Sequence, residues 1–232
     1  MIRVAYLENG PSRDELSGLS EHMASMGAQL DAFWAFDDHF PADPSEYTGF
    51  ILSGSPLSSY DRHEFIIKEH RFIRAIADAG KPMLGLCFGS QILASALCGR
   101  DQVFRRNRCE VGYAPLMLSD AASSDPLTKL CAPTVEMFVW HNDEVRHNHP
   151  DMVVLASSQD CPNHIWRFRD LPVWGIQGHP EVTAKNGARW FGECRVALEK
   201  DGADVDALIA DARDSAGGLE MLSAFVDRCQ PI

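Results

Sequence analysis

The stretch "PMLGLCFGSQ" (82–91) sets Cys87 at the end of an apolar run, with Gly85 and Gly89 two residues to either side. A cysteine wanted only for packing needs burial and nothing from its neighbours. The G-x-nucleophile-x-G form instead fits a buried strand that turns sharply into a helix and lifts the middle residue above the sheet edge. Side chains at the flanking positions would crowd such a turn, and the turn holds its central residue in a strained conformation. A cysteine there stands at a helix N-terminus, where partial positive charge favours the thiolate and outward-facing N–H groups can hold an oxyanion. The competing reading of the pentapeptide alone is a core cysteine at a strand end with incidental glycines.

Working outward from this turn, short apolar runs alternate with helix-like segments, the pattern of a parallel sheet covered on both faces. The expected elements are a strand over 2–8, a helix over 13–27 closed by Gly27, and strands over 28–36 and 47–55. Between 61 and 80, Phe65, Ile66, Phe72, Ile73 and Ile76 recur at helical spacing and Gly80 closes the run. That helix delivers the chain to "PMLGL", and "SQILASALCG" (90–99) reads as a short helix capped by Gly99. From 103 to 177 the character changes to β-rich runs, at 110–118, 134–140, 151–158, 163–168 and 171–177, which predicts an antiparallel extension of the sheet. Beyond Ala184 the composition turns helical, clearest in "NGARWFGECRVALEK" and "GGLEMLSAFVDRC". The expected organisation is one domain over 1–232.

Composition excludes several classes. A formal charge of −12 opposes the phosphate backbone of nucleic acids, and the basic cluster Arg105, Arg106 and Arg108 is short enough to read as a solvated face. No window approaches the roughly 18 apolar residues of a membrane span. The N-terminus lacks the features of a secretory signal, so a cytoplasmic address is expected. The seven cysteines are odd in number and form no C-x-x-C pair, which points to reduced thiols rather than a disulfide framework or a cysteine zinc site.

A second motif, "WGIQGHPEVT" (174–183), ends an apolar strand in His179 followed by Glu181. Two residues apart on extended backbone, the side chains leave one face, so the carboxylate can orient the imidazole while the other ring nitrogen meets a thiol. Alone, such a pair reads as surface groups at a strand end. Beside a nucleophile elbow it reads as the rest of a catalytic set.

Taken together, "GLCFGSQ" and "GIQGHPE" resemble the class I glutamine amidotransferase family, and the resemblance runs along the chain to about residue 183. It implies a flavodoxin-like α/β fold and a Cys87–His179–Glu181 triad, with Cys87 attacking the γ-carboxamide of glutamine or a γ-glutamyl compound to form a thioester. His179 would serve as base and then acid, oriented by Glu181. "SGSP" (53–56) stands where the family carries an oxyanion loop, implying a donor from Gly54 or Ser55 beside the N–H of Phe88. Gln91, and His141 and Asp143 of "VWHNDEV" (139–145), match residues near the substrate. Two departures bear on the donor class: Ser53-Gly54-Ser55 replaces the usual glycine pair, and Gly178 replaces a bulkier residue. No cofactor is implied. The chain shows neither a G-x-x-x-x-G-K-[ST] loop nor an S-G-G-x-D-S pattern, so an ammonia acceptor would be a separate synthetase subunit, or the protein would be a standalone γ-glutamyl peptide or amide hydrolase. Specificity is expected in the loop at 55–63 and in the C-terminal helices.

An esterase of the α/β-hydrolase type shares the elbow, but its order is nucleophile, acid, histidine, and here the acid follows the histidine. A non-catalytic regulatory subunit has no need to keep all three groups. His147 and His149 lack a convincing third metal ligand. Trp34, Trp140, Trp166, Trp174 and Trp190 read as core, as do Cys98 and Cys194.

Overall fold

The computed structural model describes residues 1–13 and 18–230. Its sheet begins with four parallel strands, β1 (Ile2–Leu7), β2 (Ala28–Phe33), β3 (Gly49–Leu52) and β4 (Met83–Leu86), each a short apolar run. Helices α1 (Leu19–Ser25), α2 (Glu64–Asp78) and α3 (Phe88–Leu97) lie between or after them. Residues 14–17 of the expected 13–27 helix lie outside the described residues. Four antiparallel strands follow, β5 (Val103–Leu118), β6 (Thr134–Val145), β7 (Met152–Ser157) and β8 (Ile165–Phe168), and then β9 (Val173–Ile176), parallel to β4. The order across the sheet is β2-β1-β3-β4-β9-β8-β7-β5-β6. The parallel half thus has the 2-1-3-4-5 arrangement of flavodoxin-like folds, with β9 as its fifth strand. The antiparallel extension expected from the sequence continues from β9.

Both faces of the parallel half are buried, which is why its strands read as apolar runs rather than alternations. Val4 and Tyr6 point to one face with Leu19, Met23 and Phe225, while Ala5 and Leu7 point to the other with Ile66, Ile73, Phe88 and Ile92. Fully burying one such large side chain contributes about 1.5–3 kcal/mol. The C-terminal segment forms α4 (Ala184–Glu193), α5 (Arg195–Lys200), α6 (Val205–Ala210) and α7 (Ala216–Arg228). Helix α7 covers the first face through Met221, Leu222 and Phe225. Helix α4 packs Phe191 against Phe138 of β6 in a separate cluster. Among the described residues no helix is long and apolar enough to cross a membrane.

Two boundaries differ from expectation. Strand β2 stops at Phe33, and a single 3-10 turn over Ala35–Asp37 follows, ended by Asp38 in the left-handed region. Strand β5 begins at Val103, seven residues before the expected start at 110, because its first half is arginine-rich and hides a strand whose partners are carboxylates. Arg105 reaches Asp143 at 3.5 Å, Arg106 reaches Glu144 at 2.5 Å, and Arg108 reaches Asp160 at 2.7 Å, so the basic cluster is paired. Helix α6 falls in the segment expected to be helical but outside its two clearest runs; it is marked by Asp204, whose carboxylate accepts from Ala207 N at 3.0 Å as an N-cap.

Candidate active site

Strand β4 ends at Leu86, and Cys87 follows with φ 52° and ψ −109°, one of two non-glycine residues with positive φ among those described. A non-glycine residue held there stores about 1–3 kcal/mol of strain, which the surroundings must offset. They do so with hydrogen bonds and close packing. Cys87 N donates to Ile176 O of β9 at 2.8 Å, and Gln91 N donates to Cys87 O at 3.2 Å. The glycines answer a different need, since neither has positive φ. A Cβ on Gly89 would lie 2.1 Å from Leu52 O, and one on Gly85 would lie 2.4 Å from the main chain of Gly89. Helix α3 therefore sits on β3 and β4 at a distance that only glycine allows. As the first residue of α3, Phe88 has an N–H with no acceptor within the helix.

His179 follows β9, the neighbouring strand. Its main-chain N donates to Phe138 O at 2.8 Å, forming an isolated bridge to β6 that fixes where the ring can stand. Glycine at 178 fits this crowding, because a Cβ there would lie 2.7 Å from Met137 Sδ. The ring packs edge-on against Phe138 and Trp190, both at 5.7 Å between centroids. Nδ1 lies 2.8 Å from Glu181 Oε1. Burial would drive the imidazolium to lose its proton, but the Glu181 carboxylate and then the Cys87 sulfur outweigh it and raise His179 well above its ordinary value. Gly54 marks where the pieces meet: a Cβ built on it would lie 3.0 Å from His179 Cε1, 3.9 Å from Nε2 and 3.6 Å from Cys87 Cβ.

These groups open on a cavity of about 730 Å³, also bordered by Glu8, Arg13, Ser55, Gln91, Asp143 and Trp190. Gln91 spans two neighbours, its Nε2 donating to Asp143 O at 3.1 Å and Gln177 Oε1 at 3.3 Å, while Gln177 Nε2 contacts Cys87 Sγ at 3.8 Å. Asp143 accepts from Ser58 Oγ at 2.5 Å and Tyr60 OH at 3.2 Å, tying β6 to the loop after β3. His141 differs from the rest. Its ring is fully buried, with Nδ1 2.9 Å from Asp143 O and Nε2 2.8 Å from Glu110 Oε2, so the ring braces the wall at a residue that itself borders the cavity.

Sequence reasoning missed part of the wall. Trp166 and Trp174 are core, but Trp140 and Trp190 lean on each other at 5.5 Å and border the cavity, as does Cys194. Trp34 is only partly buried, with Nε1 donating to Gly10 O at 2.9 Å. The seven cysteines are all free thiols. His147 is exposed and His149 pairs only with Asp151 at 3.9 Å.

The family model for glutamine amidotransferase class-I matches residues 16–193. The chain belongs to the class I glutamine amidotransferase family. Among its relatives are two proteins named GMP synthase [glutamine-hydrolyzing]. The one from Salmonella typhimurium is 34% identical over 183 residues, covering 73% of this chain and 33% of that protein. The one from Salmonella arizonae is 31% identical over 230 residues, covering 93% and 42%. The chain therefore spans well under half the length of the curated relatives it matches. Solved structures share the fold. A glutamine amidotransferase from Thermotoga maritima matches with a TM-score of 0.83 at 22% identity, over 98% of this chain and 97% of that one. One from Methylobacillus flagellatus matches with a TM-score of 0.76 at 21% identity, over 97% and 92%. Within this family, the fold places the glycine-flanked cysteine and the histidine at the C-terminal ends of adjacent parallel strands, where open α/β sheets bind ligands.

Proposed function

We propose that the chain hydrolyses the γ-amide of glutamine or a γ-glutamyl compound through a thioester on Cys87. The single observation that carries this is the convergence of Cys87, His179 and Glu181 beside Gly54 on one cavity wall. In this reading the sulfur attacks the γ-carbonyl carbon, and the oxyanion meets the N–H groups of Phe88 and of Gly54 or Ser55. His179, whose hold on its proton Glu181 and the Cys87 sulfur strengthen, gives that proton to the departing nitrogen, and ammonia or an amine leaves. A water then loses its proton to the ring and attacks the thioester, which frees the γ-carboxylate and returns sulfur and imidazolium to their starting state. Gln91 and Asp143 hold the substrate side of the cavity, and His141 supports them from behind. Residues 1–183 and the helices after them act as one unit, since α4 supplies Trp190 to the same cavity.

The donor is glutamine in the primary reading, with ammonia passed to a separate synthetase, as suits kinship to proteins named GMP synthase. One feature favours a second reading, a standalone hydrolase of larger γ-glutamyl amides: the cavity lies within the range that holds drug-sized ligands and has a paired tryptophan wall. The deciding experiment measures ammonia release from glutamine and amine release from γ-glutamyl anilides with the purified chain alone, alongside Cys87→Ser. Turnover of either that vanishes in Cys87→Ser supports the mechanism, and retained turnover in that variant defeats it. Preference for the anilides would select the second reading. Glutaminase activity that rises on adding a synthetase captured from cell extract would select the first.

A further inference from the structure

Behind the cavity wall lies a second buried cluster that the proposed reaction does not use. Glu110 of β5, His141 of β6, and Cys161 and His164 of the turn between β7 and β8 bring one donor atom each to within 4.8 Å of one another. They come together because Glu110 and His141 are paired in the β5–β6 register, and the main chain of the turn is pinned by Ser158 N to Cys161 O at 2.9 Å and His164 N to Ala156 O at 3.0 Å.

Glu110 is met by Arg106 at 3.6 Å and accepts from Ser158 Oγ at 3.0 Å, but the two histidines of the cluster are incompletely bonded. His141 Nδ1 faces the carbonyl of Asp143 at 2.9 Å, and Nε2 faces the Glu110 carboxylate at 2.8 Å. Both oxygens can only accept, so the ring needs either two protons or one proton and a cation. His164 is fully buried, and neither ring nitrogen has a hydrogen-bond partner on any other described residue. Its Nε2 stands 4.0 Å from Glu110 Oε1. A neutral imidazole so placed has a ring nitrogen whose lone pair is free to bind a cation. An unsatisfied buried group of this kind is destabilising unless something is bound to it.

We infer that Glu110, His141, Cys161 and His164 form a four-ligand site for a zinc-class divalent cation that clamps the antiparallel strands behind the cavity. One thiolate, two imidazoles and one carboxylate are the mixed donor set that a tetrahedral borderline-soft ion takes. The hydrogen bond from His141 Nδ1 to a main-chain carbonyl supplies the second-shell orientation that such histidines have. Charge also balances: a dication with one thiolate and one carboxylate is neutral, and Arg106, 3.6 Å from Glu110 Oε2, is offset by Glu144 at 2.5 Å. The ligand distances must shorten from those of the hydrogen-bonded cluster, which asks side-chain rotation of Cys161 and His164 on a main chain that stays pinned.

The test is titration of chelator-stripped full-length protein with cobalt(II) alone, read by absorption. One equivalent is expected to produce the visible bands of tetrahedral cobalt together with thiolate-to-cobalt charge transfer. Cys161→Ala is expected to lose the charge transfer and to weaken binding by roughly 100-fold or more. Cys87→Ser should keep both, because that thiol lies outside the cluster. Circular dichroism checks folding, and Cys161→Ser repeats the measurement with a closer isostere if the alanine variant does not fold. Absence of stoichiometric binding by the wild type overturns the inference, as does a spectrum that survives in both Cys161 variants or disappears in Cys87→Ser. The readout does not depend on turnover, so its failure and the failure of the proposed reaction are separable.

Discussion

The Nδ1 atom of His179 lies 2.8 Å from Oε1 of Glu181, two residues onward across Pro180. The same residue's main-chain N–H bonds to Phe138 O at 2.8 Å, so both ring orientation and ring position are fixed from one side. The carboxylate is also the largest of the influences that raise His179 against burial. Glu181→Gln removes that charge while keeping the shape. The expected result is a fall in kcat of about 10²–10⁴-fold. The sign of the pH effect follows: a ring whose folded value is lowered loses its proton earlier, so the basic limb of kcat/KM moves to lower pH. A pH–rate profile and a histidine NMR titration check both.

A glutamine-like alkylator should label Cys87 far faster than the other six thiols. Burial pushes Cys98 and Cys229 up to about 12 and Cys131 up to about 11, and Cys109, Cys161 and Cys194 also rise for the same reason. Cys87 alone has an imidazolium beside it and opens on the cavity. Peptide mapping after brief exposure tests this, and equal labelling of several cysteines would refute the assignment of Cys87 as nucleophile.

Two glycines near the cysteine should fail in different ways. Gly89→Ala drives a methyl into Leu52 O, main chain that cannot step aside, and is expected to cost about 3 kcal/mol or more in stability. Gly54→Ala meets the His179 ring at 3.0 Å and Cys87 Cβ at 3.6 Å, side-chain atoms of the site and no main chain. Its Tm should change little while kcat/KM falls about 10²–10³-fold through the disturbed oxyanion loop. Thermal melts run beside turnover separate the two effects.

Asp143 holds the loop after β3 through Ser58 and Tyr60. With Asp143→Asn those two bonds weaken, and the loop no longer closes the substrate side as firmly. KM should rise roughly 10-fold with a smaller change in kcat, consistent with losing 1.5–3 kcal/mol of hydrogen bonding to a charge. Tyr60→Phe, which removes one of the two bonds, should give a smaller shift in the same direction.

Glu69 of α2 is fully buried, and burial raises it from 4.5 to about 8. Between those values the native state holds a proton that the unfolded chain has released, so stability falls as pH rises, by on the order of 4 kcal/mol at pH 8. Glu69→Gln has no proton to lose. Urea unfolding midpoints measured from pH 5 to pH 8 should slope downward for the wild type and stay flatter for the variant.

The parts of the site that could be read from sequence are those whose constraints are local. Gly85, Cys87 and Gly89 state their own packing problem within five residues, and the apolar ends of β4 and β9 announce two strands buried on both faces. The walls were harder, because an aromatic residue's identity does not say which side of a strand it will occupy. Trp140 of β6 and Trp190 of α4 face a cavity while Trp166 and Trp174 fill the core, and strand register and the docking of α4 decide it. The start of β5 was hidden by arginines whose carboxylate partners lie far along the chain. The cluster behind the wall depends on the pairing of Glu110 with His141; its one local trace is the Cys161-x-x-His164 spacing. Glu69 was legible in principle, since it shares the buried helical face of Phe65, Ile66, Ile73 and Ile76.

Strands β4 and β9 lie side by side, yet residues 87–172 separate them along the chain. A nascent polypeptide leaving the ribosome therefore presents its cysteine long before the segment bearing its histidine has been made. Closing so long a loop is a late event in folding. Until it closes, the sulfur stands apart from the imidazole that the proposed reaction pairs with it, so on that reading reactivity arrives only with the finished fold.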